Sequence, residues 1–212
     1  MLRIAVAKGR TAKEVINLFS SCGIHFDEYE TSRKLILKSR DKNIELILVK
    51  PIDTPIYVES GAADCGIAGY DILLENEANV HILMNLNVSK CKMCVAAKKD
   101  ISLENKKFLT VATKFPNIAK KHFEKTGIEC KIIHLSGAIE LAPLLNMSDV
   151  IVDIVQTGKT LAENGLEIKE IIINNICACF IANKVSLKTN YPEIDNLMIK
   201  LLHADKELNI PV

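Results

Sequence analysis

The stretch that most constrains this chain is Val150 to Gly165. Val150-Ile151-Val152-Asp153-Ile154 runs into Val155-Gln156-Thr157-Gly158-Lys159-Thr160-Leu161, and a short helical pattern then ends at Asn164-Gly165. That order is strand, tight polar turn, helix start, the unit from which α/β sheets are built. Thr157 and Thr160 offer hydroxyls, Gly158 lets the backbone come close to a ligand, and the first N–H groups of the helix face whatever sits in the turn. Such a cradle suits a phosphate. Asp153, placed at the strand end, rejects a second phosphate beside it but accepts hydrogen bonds from neutral hydroxyls such as those of a ribose. The turn is therefore read as a sugar-phosphate site. Two alternatives compete. Thr160 with Glu163 could be a capping box on a surface helix, which explains two residues and leaves Thr157, Gly158 and Asp153 without a reason. Gly158-Lys159-Thr160 could end a nucleoside-triphosphate P-loop, but that motif needs glycine at position 153, where aspartate stands.

A chain of 212 residues, 49% of them hydrophobic, can bury a proper core as one large domain or two small ones. Its 27 basic and 26 acidic residues leave a net charge of +1. No basic stripe points to nucleic acid, and no window is apolar enough to span a membrane. Met1 to Lys8 reads at once as a strand and lacks a signal-type apolar region, so a cytoplasmic protein is expected. Seven cysteines, most of them in apolar runs, indicate reduced buried thiols and not a disulfide framework. Cys91-x-x-Cys94 has no second pair at ligand spacing and lies in a strand-like run, against a metal site.

The same strand, turn and helix pattern recurs. Leu2 to Ala7 is an apolar strand broken by Lys8-Gly9-Arg10, after which Thr11 and Glu14 form a capping box for a helix stopped at Gly23. Short strands follow near Arg33 to Lys38 and Ile44 to Val49, with Lys50 at the border. A helix starts at Thr54-Pro55. Asp64-Cys65-Gly66-Ile67-Ala68-Gly69 is a glycine-rich strand and turn leading into the helix Tyr70 to Glu77. After a strand from Ile82 to Leu86 the pattern restarts: strands Cys91 to Ala97 and Phe108 to Ala112, helix Asn117 to Lys125, strand Cys130 to His134, a small helix Ala138 to Leu145, and the Asp153 turn. Strands near Ile168 to Ile173 and Ile176 to Ala182 and a tail helix, Ile194 to His203, complete it. No proline- or glycine-rich linker divides the chain, so two α/β lobes joined by crossing strands are expected, residues 1–87 with 175–212 and residues 88–174. Ligands of open α/β sheets sit beyond the carboxyl ends of strands, which draws attention to Lys8, Gly9 and Arg10.

Four segments together resemble the catalytic subunit of ATP phosphoribosyltransferase: Ala7-Lys8-Gly9-Arg10; Asp53 to Tyr57 with Gly61 to Gly69; Leu135-Ser136-Gly137 with Glu140-Leu141-Ala142-Pro143; and Asp153-x-Val155-x-Thr157-Gly158-x-Thr160-Leu161 with Asn164-Gly165. The resemblance runs nearly end to end and is to the short form of that family, without the regulatory C-terminal domain of the long form. It implies a two-lobed α/β fold like that of periplasmic binding proteins (type II), with the active site in the cleft. The implied enzyme is a glycosyltransferase that joins adenine N1 of ATP to C1 of 5-phosphoribosyl 1-pyrophosphate, releasing pyrophosphate with Mg²⁺ present, as histidine biosynthesis begins.

Carried over by resemblance, Asp153, Gln156, Thr157, Gly158, Lys159, Thr160 and Leu161 hold the phosphoribosyl group. Lys8, Gly9, Arg10, Asp64, Gly66 and Gly69 line the nucleotide side, and Arg33 faces the pyrophosphate. Lys50 stands where the family usually has arginine, and Ala68 and Tyr70 where threonine and a basic residue are common. Lysine gives a point charge in place of a two-pronged fork, so Lys50 is paired with Arg33 in the catalytic role with that difference. The family's short form works with a separate regulatory subunit resembling histidyl-tRNA synthetase. Two other functions share these features: phosphoribosyl transfer to a different base, and a small-molecule binding protein without chemistry.

Overall fold

The computed structural model describes residues 1–207. The chain forms two compact units, Met1–Ser89 with the stretch from Cys177 onward, and Lys90–Ile176. In chain order the first unit holds β1 (Leu2–Ala7), α1 (Arg10–Ser21), β2 (Ile36–Lys38), β3 (Ile44–Val49), α2 (Thr54–Glu59), β4 (Cys65–Gly69), α3 (Tyr70–Glu75) and β5 (His81–Asn85). The second holds β6 (Cys91–Lys98), β7 (Phe108–Thr113), α4 (Pro116–Thr126), β8 (Glu129–His134), α5 (Leu141–Leu144), β9 (Val150–Val155), α6 (Lys159–Glu163) and β10 (Leu166–Ile176). The chain then returns to the first unit with β11 (Ala178–Ala182), α7 (Ser186–Thr189) and α8 (Tyr191–Glu207).

The first unit is built on a sheet of order β2-β3-β1-β4-β11-β5. β1 runs parallel to both β3 and β4, with Ala7 opposite Val49 and Val6 opposite Ile67. These strands read as continuous apolar runs because both faces are covered. On one face Ile4, Val6, Leu46 and Ile67 pack with Val15, Leu18 and Phe19 of α1 and with Ile194, Leu197 and Leu201 of α8. On the other, Ala5, Ala68, Cys179 and Ile181 lie under Val58 of α2 and Leu73 of α3. Each fully buried large aliphatic side chain contributes about 1.5–3 kcal/mol. Burial pushes the Cys65 and Cys179 thiols up to about 12, so both are protonated core groups and not nucleophiles.

The second unit has the order β10-β6-β9-β7-β8. β7 is parallel to β8 and β9, whereas β6 is antiparallel to β9 and β10 antiparallel to β6. Small residues at Cys94, Ala96, Ala112 and Ala142 let Leu161 of α6 and Ile139 approach the sheet. Within β6 the odd spacing of Cys91 and Cys94 points their thiols to opposite faces of the sheet.

Several element boundaries differ from the sequence reading. The Thr11–Glu14 capping box is not formed: α1 starts at Arg10 with Gly9 as cap and no side-chain cap bond, and Glu14 bonds elsewhere. β2 begins at Ile36 and leaves Arg33 in an irregular segment. Ala138 has φ 48°, incompatible with the predicted helix start, so α5 is only Leu141–Leu144. Asn174-Asn175 does not break the strand; β10 runs through to Ile176, its register shifts against β6 absorbing the misfit. The tail helix α8 begins at Tyr191 and extends to Glu207, beyond both predicted ends. Residues 208–212, which the sequence reading set after that helix, lie outside the described residues. Among the described residues no helix is long and apolar enough to cross a membrane.

Candidate active site

Because β1, β3 and β4 are parallel, whatever follows each lies on one edge of the first sheet. Lys8-Gly9-Arg10 follows β1, Lys50 follows β3, and Tyr70 follows Gly69 of β4. The Lys8 N–H donates to Val49 O at 2.8 Å, which sets Lys8 level with Lys50. β2 pairs antiparallel with β3, Ile36 opposite Ile47, and Leu48 N–H donates to Leu35 O at 2.8 Å. Arg33 lies two residues before Leu35, in the irregular segment that precedes β2. Neighbouring strand ends are about 4.8 Å apart, so Lys50 and Lys8 stand side by side at the edge, with Arg10 following Lys8 and Arg33 exposed in the irregular segment that leads into β2. Among the described residues Lys8, Arg33 and Lys50 have no ion-pair partner, whereas Arg10 Nε lies 3.6 Å from Glu14 Oε1. Lys8 and Lys50, like charges side by side, raise the local potential for a polyanion. Gly9 turns the chain here with φ 90° and ψ −141°, a conformation for which only glycine is suited. The first N–H groups of α1, a helix of 12 residues, therefore open onto the same edge.

Asp64 and Gly66 are not brought to this edge, a correction to the nucleotide-side assignment. Asp64 precedes β4 and sits at the opposite end of the strand, roughly 17 Å from Gly69 at about 3.3 Å per residue. Its carboxylate accepts bonds from Arg3 N–H (2.9 Å), Ser186 Oγ (2.8 Å) and Asn190 Nδ2 (3.0 Å), which ties β4 to β1 and to the α7–α8 region. Gly66 is buried mid-strand, where an added Cβ would lie 2.7 Å from Val58 Cγ2 and 3.1 Å from Ala5 O. It is glycine so that α2 can pack on the sheet. Gly69 does lie at the edge, and there an added Cβ would overlap Asp71 Oδ1, which folds back over it.

In the second unit the parallel strands β7, β8 and β9 likewise end together, presenting Lys114, Leu135-Ser136-Gly137 and the Asp153 turn. Asp153 lies within β9, two residues before its end, and its side chain is only 14% exposed. Lys114 Nζ is 3.2 Å from Asp153 Oδ1, and the Ile154 N–H donates to the same oxygen at 2.8 Å. Burial pushes the Asp153 carboxyl above its ordinary value; Lys114 and the Ile154 N–H act against that, and the charge of Glu140 adds to it. Lys114 was not singled out from sequence. The available signal was its place between the Phe108 run and a Phe-Pro helix start, the same strand-end position as the other site residues.

Gln156, Thr157, Lys159 and Thr160 are exposed around Gly158, whose φ of 77° makes the left-handed turn into α6. No side chain caps α6, so the Thr160–Glu163 capping box is absent, and Glu163 instead lies 3.8 Å from Lys159 Nζ. The Leu161 side chain is 5% exposed and packs into the core of the second unit, holding α6 on the sheet, so what Leu161 presents to the turn is its backbone N–H in the first turn of α6.

Comparison with known proteins agrees across the chain. The family model "HisG: ATP phosphoribosyltransferase" matches residues 50–203. An ATP phosphoribosyltransferase of Oceanobacillus iheyensis is 45% identical over 199 residues, covering 93% of this chain and 95% of its own. One of Clostridioides difficile is 48% identical over 198 residues, again 93% and 95%. The solved ATP phosphoribosyl transferase (HisG:HisZ) complex from Thermotoga maritima contains a chain similar to this one with TM-score 0.85 and 34% identity, over 98% of this chain and 100% of that chain. The fold is thus the two-lobed, type II periplasmic-binding-protein-like α/β fold. With the family model spanning most of its length and relatives well above 40% identity matching nearly all of it, this chain belongs to the ATP phosphoribosyltransferase family.

Proposed function

We propose that this chain catalyses displacement of pyrophosphate from C1 of 5-phosphoribosyl 1-pyrophosphate by N1 of the adenine of ATP, the first step of histidine biosynthesis. The observation that carries the reading, within this family, is the pair of parallel strand edges of unlike character. One offers exposed cations, the other a buried acid beside a lysine and an uncapped glycine turn. In the reaction the N1 lone pair forms the new C–N bond, the C1–O bond breaks, and its electron pair leaves on the diphosphate. The sugar carbon becomes cation-like on the way, so the demand on the protein is to hold the growing negative charge of the leaving group and to align the two reactants.

Arg33 and Lys50 are assigned to that leaving charge. Lys8, Arg10 and the N–H groups opened by Gly9 are assigned to the phosphates of ATP. The N–H groups around Gly158, with Thr157, Thr160, Gln156 and Lys159, are assigned to the 5-phosphate, and Asp153 to the ribose hydroxyls. Lys114 holds the Asp153 carboxylate in place and keeps the pair electrically neutral beside an anionic substrate. Mg²⁺ enters as part of the substrate, as the magnesium complex of the diphosphate. The likeness to the HisG:HisZ complex supports a second, regulatory subunit of the HisZ type for this chain, through which histidine would act. Seven free cysteines support a cytoplasmic location.

The test is pyrophosphate release by the chain mixed with its HisZ-type subunit, phosphoribosyl pyrophosphate, Mg²⁺ and either ATP or free bases. Release with ATP alone is the expected result. Release with another base, or none with ATP, would refute the assignment.

A further inference from the structure

The pairing of β7 with β9 ends at Thr113 and Val152, and the residues that follow on the two strands are Lys114 and Asp153. There a side chain joins the strands. Thr113 is fully buried, and its Oγ1 donates to Val152 O at 2.7 Å while accepting the Phe115 N–H at 2.9 Å. The second bond closes a turn of the Ser/Thr type in which Lys114 is the middle residue. The first ties that turn to the carbonyl next to Asp153. Phe115, 1% exposed, anchors the far side of the turn, and Lys114 Nζ lies 5.1 Å from its ring centroid. One hydroxyl, with its donor and an acceptor site both engaged, thus fixes the backbone beside each member of the ion pair.

We propose that Thr113 is a positioning residue, whose hydroxyl sets Lys114 against the Asp153 carboxylate in the sugar-phosphate site. The Lys114 side chain is long and 35% exposed, and it gives up much rotamer freedom when it is held in one geometry. At a loose strand end that cost would compete with an ion pair of 3.2 Å that water still reaches. Closing the turn removes the backbone freedom first, so the side chain has only its own rotamers left to lose. The buried carboxylate then keeps its counter-charge, and an arriving 5-phosphate meets a neutral pair and not a bare anion. A hydroxyl that served only to satisfy the Phe115 N–H would act on folding and leave substrate affinity alone. The inference rests on the reading of Asp153 as the acceptor for the ribose hydroxyls.

The experiment is steady-state kinetics of the full chain with its HisZ-type subunit, comparing wild type, Thr113→Val, Thr113→Ser, Thr113→Cys, Lys114→Met and the double variant of Thr113→Val with Lys114→Met. Valine keeps the shape and loses the hydroxyl; serine keeps the hydroxyl and loses the methyl group. Thr113→Val should raise KM for phosphoribosyl pyrophosphate about three- to tenfold, with KM for ATP within about twofold. Thr113→Ser should stay within about twofold of wild type in both. In the Lys114→Met background Thr113→Val should have no further effect, since Thr113 acts through Lys114. Thr113→Cys, with a much weaker donor and acceptor, should raise KM for phosphoribosyl pyrophosphate about two- to threefold. An unchanged KM for phosphoribosyl pyrophosphate in Thr113→Val, an equal rise with and without Lys114, or a Thr113→Ser variant as impaired as Thr113→Val overturns the inference. Were Thr113→Val to unfold, an unchanged KM in Thr113→Cys would do the same. If Lys114→Met itself leaves KM for phosphoribosyl pyrophosphate unchanged, the pair's place in the sugar-phosphate site falls and this inference with it. An impaired Lys114→Met beside an unaffected Thr113→Val sinks the inference alone.

Discussion

Asp153 and Lys114 make opposite demands on stability, and substituting each in turn separates them. At 3.2 Å the pair's gross attraction is about 5 kcal/mol at an effective dielectric of 20 and about 1 kcal/mol in water. With side-chain exposures of 35% for Lys114 and 14% for Asp153, the lysine keeps much of its hydration while the carboxylate does not. Burial is the largest influence on Asp153 and raises its affinity for a proton. The sign follows: between the unfolded value near 3.8 and the higher folded value the native state binds more protons, so stability falls as pH rises through that window. Asp153→Asn removes the cost and should be neutral to stabilising, by up to about 1 kcal/mol above the window, with the gain fading toward pH 4. Lys114→Met removes the compensation. It should cost about 1–3 kcal/mol at pH 8, discounted from the fully buried case because the lysine is partly exposed, and much less near pH 4, where the acid is protonated. Urea unfolding of both variants and the double at pH 4.5, 6 and 8 measures this, and the double should regain most of the loss. A Lys114→Met penalty that is the same at all three pH values, or an Asp153→Asn variant less stable than wild type at pH 8, would refute the reasoning.

Three further substitutions test the site. Gly158→Val should abolish binding of phosphoribosyl pyrophosphate in calorimetric titration while the thermal midpoint falls only slightly; the space for a Cβ is open, with Val155 Cγ1 at 3.9 Å, so the damage comes from φ 77° and a distorted turn. Unchanged affinity in the folded variant would remove the turn from the site. Arg33→Ala should lower kcat more than it raises either KM, because its charge is asked to stabilise a leaving group in the transition state; a raised KM with unchanged kcat contradicts that role. Gly66→Ala should cost about 1–3 kcal/mol through overlap with α2 and leave both KM values unchanged. Altered kinetics with unchanged stability would return Gly66 to the nucleotide side.

The apolar runs that became β1, β3, β4, β7 and β9 were legible because buried parallel strands leave little choice of residue. The glycine turns at Gly9 and Gly158 were legible because few other residues fit there. What sequence could not show was where each strand begins and ends, and so which motif residues fall at its carboxyl end. Asp64 stands one strand length from Gly69, and only the pairing of Ile4 with Cys65 reveals that it lies at the far edge. The Thr-x-x-Glu pattern at Thr11 and Glu14 looks the same whether it caps its own helix or reaches Ser89, because the partner is distant in sequence. Lys114 escaped for a related reason. Its contact with Asp153 exists because β7 and β9, which are not consecutive, are neighbours in the sheet. Leu161 differs again: the helix turn carries its side chain into the core, which the motif alone does not show, and leaves its backbone N–H at the turn.

On the proposed assignment the two edges would solve separate electrostatic problems. A polyphosphate and its leaving group carry several negative charges, which the first edge would meet with exposed cations, whose hydration is not lost before a ligand arrives and whose place is set by strand ends. A ribose 5-phosphate must instead be recognised by neutral hydroxyls close to its own phosphate, where a bare carboxylate would repel it. Burying Asp153 and setting Lys114 against it gives an acceptor whose charge is matched locally, while the phosphate is left to backbone donors and hydroxyls around Gly158. A second set of cations in place of Asp153 would bind phosphate more strongly but could not tell a sugar phosphate from a free polyphosphate. On that assignment, discrimination between the two substrates would lie in the contrast between the edges and not in the strength of either one.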